Sequence, residues 1–152
     1  MKIVKVGTEQ RESQIQVDLI RWWRQVYAPS KGIDEKLLFS VPNEGANNPV
    51  RGKHLKDMGL LSGVSDLILF YPGQRADGGV YHALCLELKR AHGVQSASQK
   101  QWEKLVTSAG YAYTCARGLE QAQEAISSYI EGRWGIYADL PLQIGVSRLK
   151  RG

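Results

Sequence analysis

Apolar residues first recur at helical spacing between Glu9 and Ala28, where Ile15, Leu19, Trp22 and Val26 mark one stripe and Pro29 closes the segment. The run Lys36 to Pro42 (KLLFSVP) has the compact apolar character of a strand, and the NEGANNP that follows Val41 is a loop by its Asn, Gly and Pro content. A short basic helix is expected over VRGKHLKDMG, ended by Gly59. Two further strands follow, Asp66 to Tyr71 and Tyr81 to Lys89, arranged as a hairpin around a polar, glycine-rich loop. A helix over SASQKQWEKLVTSAG stops at Gly110, YAYTCA forms a strand, and LEQAQEAISSYI forms the last helix. Helices alternating with short strands predict an α/β layer structure with a small mixed sheet, and no internal repeat or low-complexity linker interrupts it.

One strand breaks the pattern. Side chains two apart on a strand share a face, so Leu84, Leu86 and Leu88 fill one side while Cys85, Glu87 and Lys89 line the other. Either this is an edge strand with a solvated, ion-paired face, or a Glu and a Lys are being held inside for a reason. Buried charges cost free energy unless they are paired or bind a metal. Asp66 opens the preceding strand and could lie beside Glu87, bringing two carboxylates together. Hard cations such as Mg²⁺ bind through one or two carboxylates completed by water and substrate phosphate. Lys89 would stand beside such a cation. Glu12, three residues before Ile15 and seven before Leu19, falls on the apolar stripe of helix one near its start, where the helix dipole also favours an exposed Glu. Gln99 stands in the same relation to Trp102 and Val106, and reads equally as a polar boundary residue.

The chain has 152 residues, enough for one domain with a real core, and 43% of them are hydrophobic. A net charge of +5 and a pI near 9.3 favour an anionic partner, nucleic acid first. Arg51, Lys53, His54 and Lys56, with Lys100 and Lys104 on the helix of Gln99, are candidate phosphate contacts, which position a duplex without reading its sequence. No apolar run reaches the length of a membrane helix and the N-terminus lacks a signal-peptide core, so a cytoplasmic protein with no membrane partner is expected. Cys85 and Cys115 lack metal-ligand spacing and read as buried free thiols. His54, His82 and His92 likewise share no ligand spacing. Gly59 and Gly63 frame the approach to Asp66 and suit turns of positive φ or an ordinary loop. Asn43 is read as a loop-stabilising residue. Of the four tryptophans, the adjacent Trp22 and Trp23 cannot both face one core, so one of them is a candidate interface residue.

Asp66 followed by Glu87-Leu88-Lys89 resembles the D…ExK core of the PD-(D/E)XK nuclease superfamily. The surrounding segments narrow the resemblance. VPNEG (Val41 to Gly45), KDMGLLSGVSDLIL (Lys56 to Leu69), LELKR (Leu86 to Arg90) and SASQKQWEKLVTSAGY (Ser96 to Tyr111) have the order and spacing of the virus-type replication-repair nuclease domain, VRR-NUC. The resemblance spans roughly Glu12 to Ile130. It implies a restriction-endonuclease-like fold, a single nuclease domain over residues 1–152 with its core at about 9–131 and a C-terminal extension over 132–152, of the stand-alone phage or bacterial type.

The implied activity is a Mg²⁺- or Mn²⁺-dependent endodeoxyribonuclease. Asp66 and Glu87 match the family's metal-binding acids, with the Leu88 carbonyl completing the protein ligands and Glu12 matching the acid of helix one. Lys89 matches the catalytic lysine and Gln99 the glutamine of the following helix. Ser65 stands where many relatives carry Pro, with no chemical consequence expected. Stand-alone members of the family point to branched DNA, Holliday junctions foremost, and the two opposed cuts that resolve a junction lead to the expectation of a homodimer. The alternatives are a nuclease for flaps, nicks or restriction-like sites, and a DNA-binding module without catalysis. A pair of acids facing an anionic ligand argues against the last.

Overall fold

The computed structural model describes residues 10–42 and 49–135. Helix α1 runs Glu12–Trp22 and continues through a π-helical turn at Trp23–Tyr27 into a last turn, Ala28–Lys31, capped by left-handed Gly32 (φ 68°). Pro29 therefore sits inside the helical path rather than beyond its end. Proline lacks the N–H that an α-helical bond needs there, and the widened turn before it absorbs the mismatch.

The same π turn changes the apolar stripe. The buried residues are Ile15, Leu19, Trp23 and Tyr27, whereas Val26 is 57% exposed and Trp22 is half-buried. Steps of four residues drift by about 40° per turn on an ideal α-helix, and a wider turn takes the drift back. Trp23 is thus a core residue, its indole N–H donating to the Glu35 carbonyl at 2.8 Å, and Trp22 stacks on Tyr27 with ring centroids 4.8 Å apart. Neither is a bare interface residue.

A 3₁₀ turn at Glu35–Leu37, capped by Asp34, leads into β1 (Leu38–Ser40), shorter than the run Lys36 to Pro42. Helix α2 (Pro49–Asp57) is basic and buries no side chain. Its proline stands at the helix start, where a missing N–H costs nothing, and Gly59 follows at φ 103°. Strand β2 (Leu67–Leu69) and strand β5 (Leu84–Lys89) are antiparallel neighbours. Between them lies a two-stranded ribbon, β3 (Gly73–Gln74) and β4 (Val80–Tyr81), so the expected strand from Tyr81 to Lys89 is broken at His82 and Ala83. Helix α3 (Ala97–Ser108), strand β6 (Ala112–Arg117) and helix α4 (Leu119–Ile130) complete the chain.

The four-stranded sheet has the order β1-β2-β5-β6, antiparallel except for the parallel pair β5-β6. This is the small mixed sheet flanked by helices that the pattern implies. Leu67, Leu69, Leu84, Leu86 and Leu88 pack against α1 and α4 on one face, all at most 1% exposed. Helix α3 covers part of the other. Trp134 closes the core edge-on to Tyr129, at 5.8 Å between centroids. No helix among the described residues is long and apolar enough to cross a membrane. Asn43, most of the NEGANNP loop, and the tail beyond Gly135 lie outside the described residues.

Candidate metal centre and nuclease site

Strand β5 lies between β2 and β6, so its second face is interior and not a solvated edge. On that face Glu87 is 2% exposed. Its Oε1 accepts a 2.6 Å hydrogen bond from Gln99 Nε2 and lies 3.6 Å from Lys89 Nζ. Its Oε2 is buried with no hydrogen-bond partner among the described residues. A buried carboxylate oxygen left unpartnered is expensive, and the carboxyl lies near enough to a second acid, Asp66, to feel its charge. Asp66, half-buried just ahead of β2, accepts the Leu88 N–H on Oδ2 at 2.8 Å. That bond seats Asp66 against the strand that carries Glu87.

The electrostatics report the crowding. Burial, then the negative charge of Asp66, push the Glu87 carboxyl up to about 8, against the pull of Lys89. Burial also raises Asp66, countered by the Leu88 N–H. Glu12, exposed in the first turn of α1, is near enough that its charge raises both. A buried carboxyl driven to hold its proton by burial and by the charge of a neighbouring acid is what a divalent cation would relieve. Among the described residues no three His, Cys, Asp or Glu side chains form a closed cage. The donor set is a pair, Asp66 and Glu87, with Glu12 standing off at the solvent side. That fits a hard cation that keeps several waters and takes substrate oxygens.

Helix α3 holds this pair from its N-terminus. Ser96 is the N-cap, accepting the Gln99 N–H on its hydroxyl, while Gln99 Oε1 accepts the Ser96 N–H at 2.8 Å. The capping box and the bond to Glu87 together use both ends of the Gln99 amide, so its orientation is fixed from two sides. One turn on, the Trp102 indole N–H donates to Ser65 Oγ at 2.8 Å. Ser65 is fully buried and immediately precedes Asp66. A Cβ on Gly63 would come within 2.6 Å of the Ser98 backbone, and Gly63 has φ 87°. Helix α3 therefore grips Glu87 through Gln99 and the approach to Asp66 through Trp102 and Ser98. Ser65, of which no chemical consequence is expected from the sequence, is a buried structural anchor. The only sequence signal for it was the i, i+3 spacing of Gln99 and Trp102, which puts both on one helix face.

The profile of the VRR-NUC domain matches residues 10–120. The chain belongs to the VRR-NUC domain family. A solved structure described as a "VRR_NUC domain protein" superposes with a TM-score of 0.68 at 22% identity, over 83% of this chain and 93% of that one, and shares the fold. No curated protein matches the chain. VRR-NUC membership places the chain in a nuclease family and makes DNA its implied partner.

The remaining predicted residues of this VRR-NUC domain lie on two helices. Arg51, Lys53, His54 and Lys56 are exposed on α2, and Lys100 and Lys104 are exposed on α3. Lys53 forms an exposed ion pair with Asp57 at 2.7 Å, a contact easily exchanged for a phosphate. Cys85 is buried and Cys115 half-buried, and both are free thiols. His82 packs edge-on against Tyr111.

Proposed function

We propose that this VRR-NUC domain is a divalent-cation-dependent DNA endonuclease selective for branched DNA, with Holliday junctions its foremost substrate. The observation that carries the chemistry is the buried Glu87 carboxyl with an unpartnered Oε2, within reach of the Asp66 charge and with Lys89 3.6 Å from Oε1. In this reading Asp66, Glu87 and the Leu88 carbonyl hold Mg²⁺ or Mn²⁺, with Glu12 on the solvent side of the same centre. The bound cation supplies a Lewis acid for the scissile phosphate and an acidified water.

The chain's own groups do the rest. Gln99 orients Glu87 by holding Oε1, and the Leu88 N–H orients Asp66. Lys89, with Nζ 3.6 Å from Glu87 Oε1, would meet with its ammonium the charge that builds on the phosphate oxygens or hold the attacking water. Its stem is only 12% exposed, so its reach is restricted before substrate arrives. Arg51, Lys53, Lys56, Lys100 and Lys104 hold the duplex through its phosphates.

A junction is resolved by cuts on two opposed strands, and two centres related by a two-fold axis match its symmetry. We place this in a homodimer. Trp23 and Trp134 are buried and Trp22 is half-buried against Tyr27, so these tryptophans expose little apolar area for its surface. Phe39 and Phe70, 40% and 62% exposed and 6.2 Å apart by ring centroid, offer apolar area instead. Solution mass measurement tests the dimer.

The test of activity is a panel of labelled four-way junction, flap, nicked and linear duplex DNA with Mg²⁺ or Mn²⁺, run beside Asp66→Ala. Paired cuts in the junction, lost in the variant, are expected. Preference for flap or nicked DNA withdraws the junction role and keeps the chemistry. No cleavage of any substrate by the wild-type chain overturns the nuclease reading.

A further inference from the structure

The parallel register of β5 and β6 pairs Glu87 with Cys115 and Lys89 with Arg117. Arg117 therefore stands beside Lys89, on the same face and at the same carboxyl end of the two strands, where parallel strands open onto their ligands. The site is tied together there, with the Gly118 N–H bonded to the Lys89 carbonyl at 3.0 Å. The backbone N–H of Arg117 donates to Gln121 Oε1 at 3.0 Å, and its Nε donates to the Gly93 carbonyl at 3.1 Å. Both the root and the neck of the guanidinium are thus pinned.

Among the described residues the guanidinium has no acid for a partner. Arg21, Arg75 and Arg133 pair with Asp18, Asp77 and Glu124, at 3.4, 2.9 and 3.2 Å. Arg117 is half-buried, yet among the described residues its side chain has only a neutral carbonyl as partner. Among the described residues its two Nη groups meet no acceptor. Placing a partly desolvated cation next to a second one, Lys89, is unfavourable until an anion joins them. Lys89 leans on Glu87 meanwhile.

We propose that Arg117 is a phosphate-binding residue of this cleft. Its fixed fork takes the two non-bridging oxygens of a DNA phosphodiester at or next to the cut. The planar, always-charged guanidinium suits this bidentate contact, and a lysine does not reproduce it. The inference rests on the nuclease reading above and adds to it a substrate contact on β6, a strand to which that reading assigns none.

Single methylphosphonates, which remove the charge of one phosphate, are placed in turn through the junction arms. Binding is measured with Ca²⁺ and single-turnover cleavage with Mg²⁺, for wild type, Arg117→Ala and Arg117→Lys. Wild type should lose about tenfold or more at one position, the size of a charge-assisted contact. Arg117→Ala should show that loss on unmodified DNA and no further loss at that position, with Arg117→Lys in between. Such coupling cannot come from a structural role through Gly93, which would lower every substrate alike. Losses that multiply at every position, or an Arg117→Ala variant that matches wild type in both measurements, overturn the proposal. A wild-type chain that binds but never cuts overturns the nuclease reading alone, since the binding arm still reads the Arg117 contact.

Discussion

Glu87→Gln should stabilise the metal-free protein, and only at high pH. In the folded chain burial and Asp66 raise the Glu87 carboxyl from 4.5 to about 8. The folded state therefore holds this proton more tightly than the unfolded state does. Below about pH 4.5 both states are protonated and Glu87 contributes nothing. Between there and about pH 8 the unfolded chain ionises first, so stability falls as pH rises, and the loss is complete above the folded value. At about 1.4 kcal/mol for each tenfold change in proton affinity, the rise sets a ceiling of about 5 kcal/mol. Relaxation and water entry lower the real cost of a buried charge, so a difference of about 2 kcal/mol is expected at pH 9. Glutamine keeps an acceptor for Gln99 and turns an N–H toward Asp66 in place of the unpartnered Oε2. Urea unfolding of both proteins in EDTA from pH 5 to 9 gives the difference directly and cancels the other titrating groups. A difference that is flat with pH, or a variant less stable than wild type at pH 9, refutes the crowding argument. Added Mg²⁺ should close the gap by stabilising the wild type alone.

Lys89→Ala should lose at least about a hundredfold in single-turnover rate while junction affinity changes less than about threefold, because one ammonium among many phosphate contacts adds little to binding; equal losses would make it a binding residue. Trp102→Phe removes the donor to Ser65 and should cost about 1–2 kcal/mol in urea unfolding, the price of a buried hydroxyl left with one partner fewer, and an unchanged midpoint would show the bond to be idle. Gly63→Ala puts a Cβ 2.6 Å from the Ser98 backbone at φ 87°, and should destabilise by about 2 kcal/mol or more; a stability equal to wild type in the same assay would disprove the close approach. DNA affinity should rise when Ca²⁺ replaces EDTA, measured by fluorescence anisotropy, and a metal-independent affinity would detach the acid pair from substrate binding.

The acid pair was legible because strand parity is rigid. Once Leu84, Leu86 and Leu88 point one way, Glu87 and Lys89 must point the other, and this survived the break at His82 and Ala83. Helix α4 was legible to its ends because one α-helical stripe runs through it without interruption. Helix α1 was not, because a π turn leaves the i, i+3 and i, i+4 spacings ambiguous between Trp22 and Trp23, and only packing against the sheet settles which is inside. Ser65 and Arg117 escaped for a different reason. Their partners, Trp102 and Lys89, lie 37 and 28 residues away, and a single sequence carries no register between distant strands. The β5-β6 register supplies it for Arg117, and the packing of α3 supplies it for Ser65.

The arrangement of charges explains why an unsatisfied carboxylate is tolerated at the centre of a stable sheet. Fully ionised, Glu12, Asp66 and Glu87 outnumber Lys89 and Arg117 by one, so the cleft is short of positive charge, and burial beside Asp66 holds a proton on Glu87 that makes the metal-free cleft neutral. A divalent cation would release that proton and leave a single positive charge. One phosphodiester then cancels it. With Glu87 ionised, the cleft is neutral only with both cation and DNA backbone in place, and in a partly buried site each step toward neutrality lowers the desolvation cost of the others. Cation and DNA should therefore favour each other's binding. Gln99 and Trp102, by fixing the two acids from one helix, hold the separation between them against their mutual repulsion, so the site need not reorganise when the cation arrives.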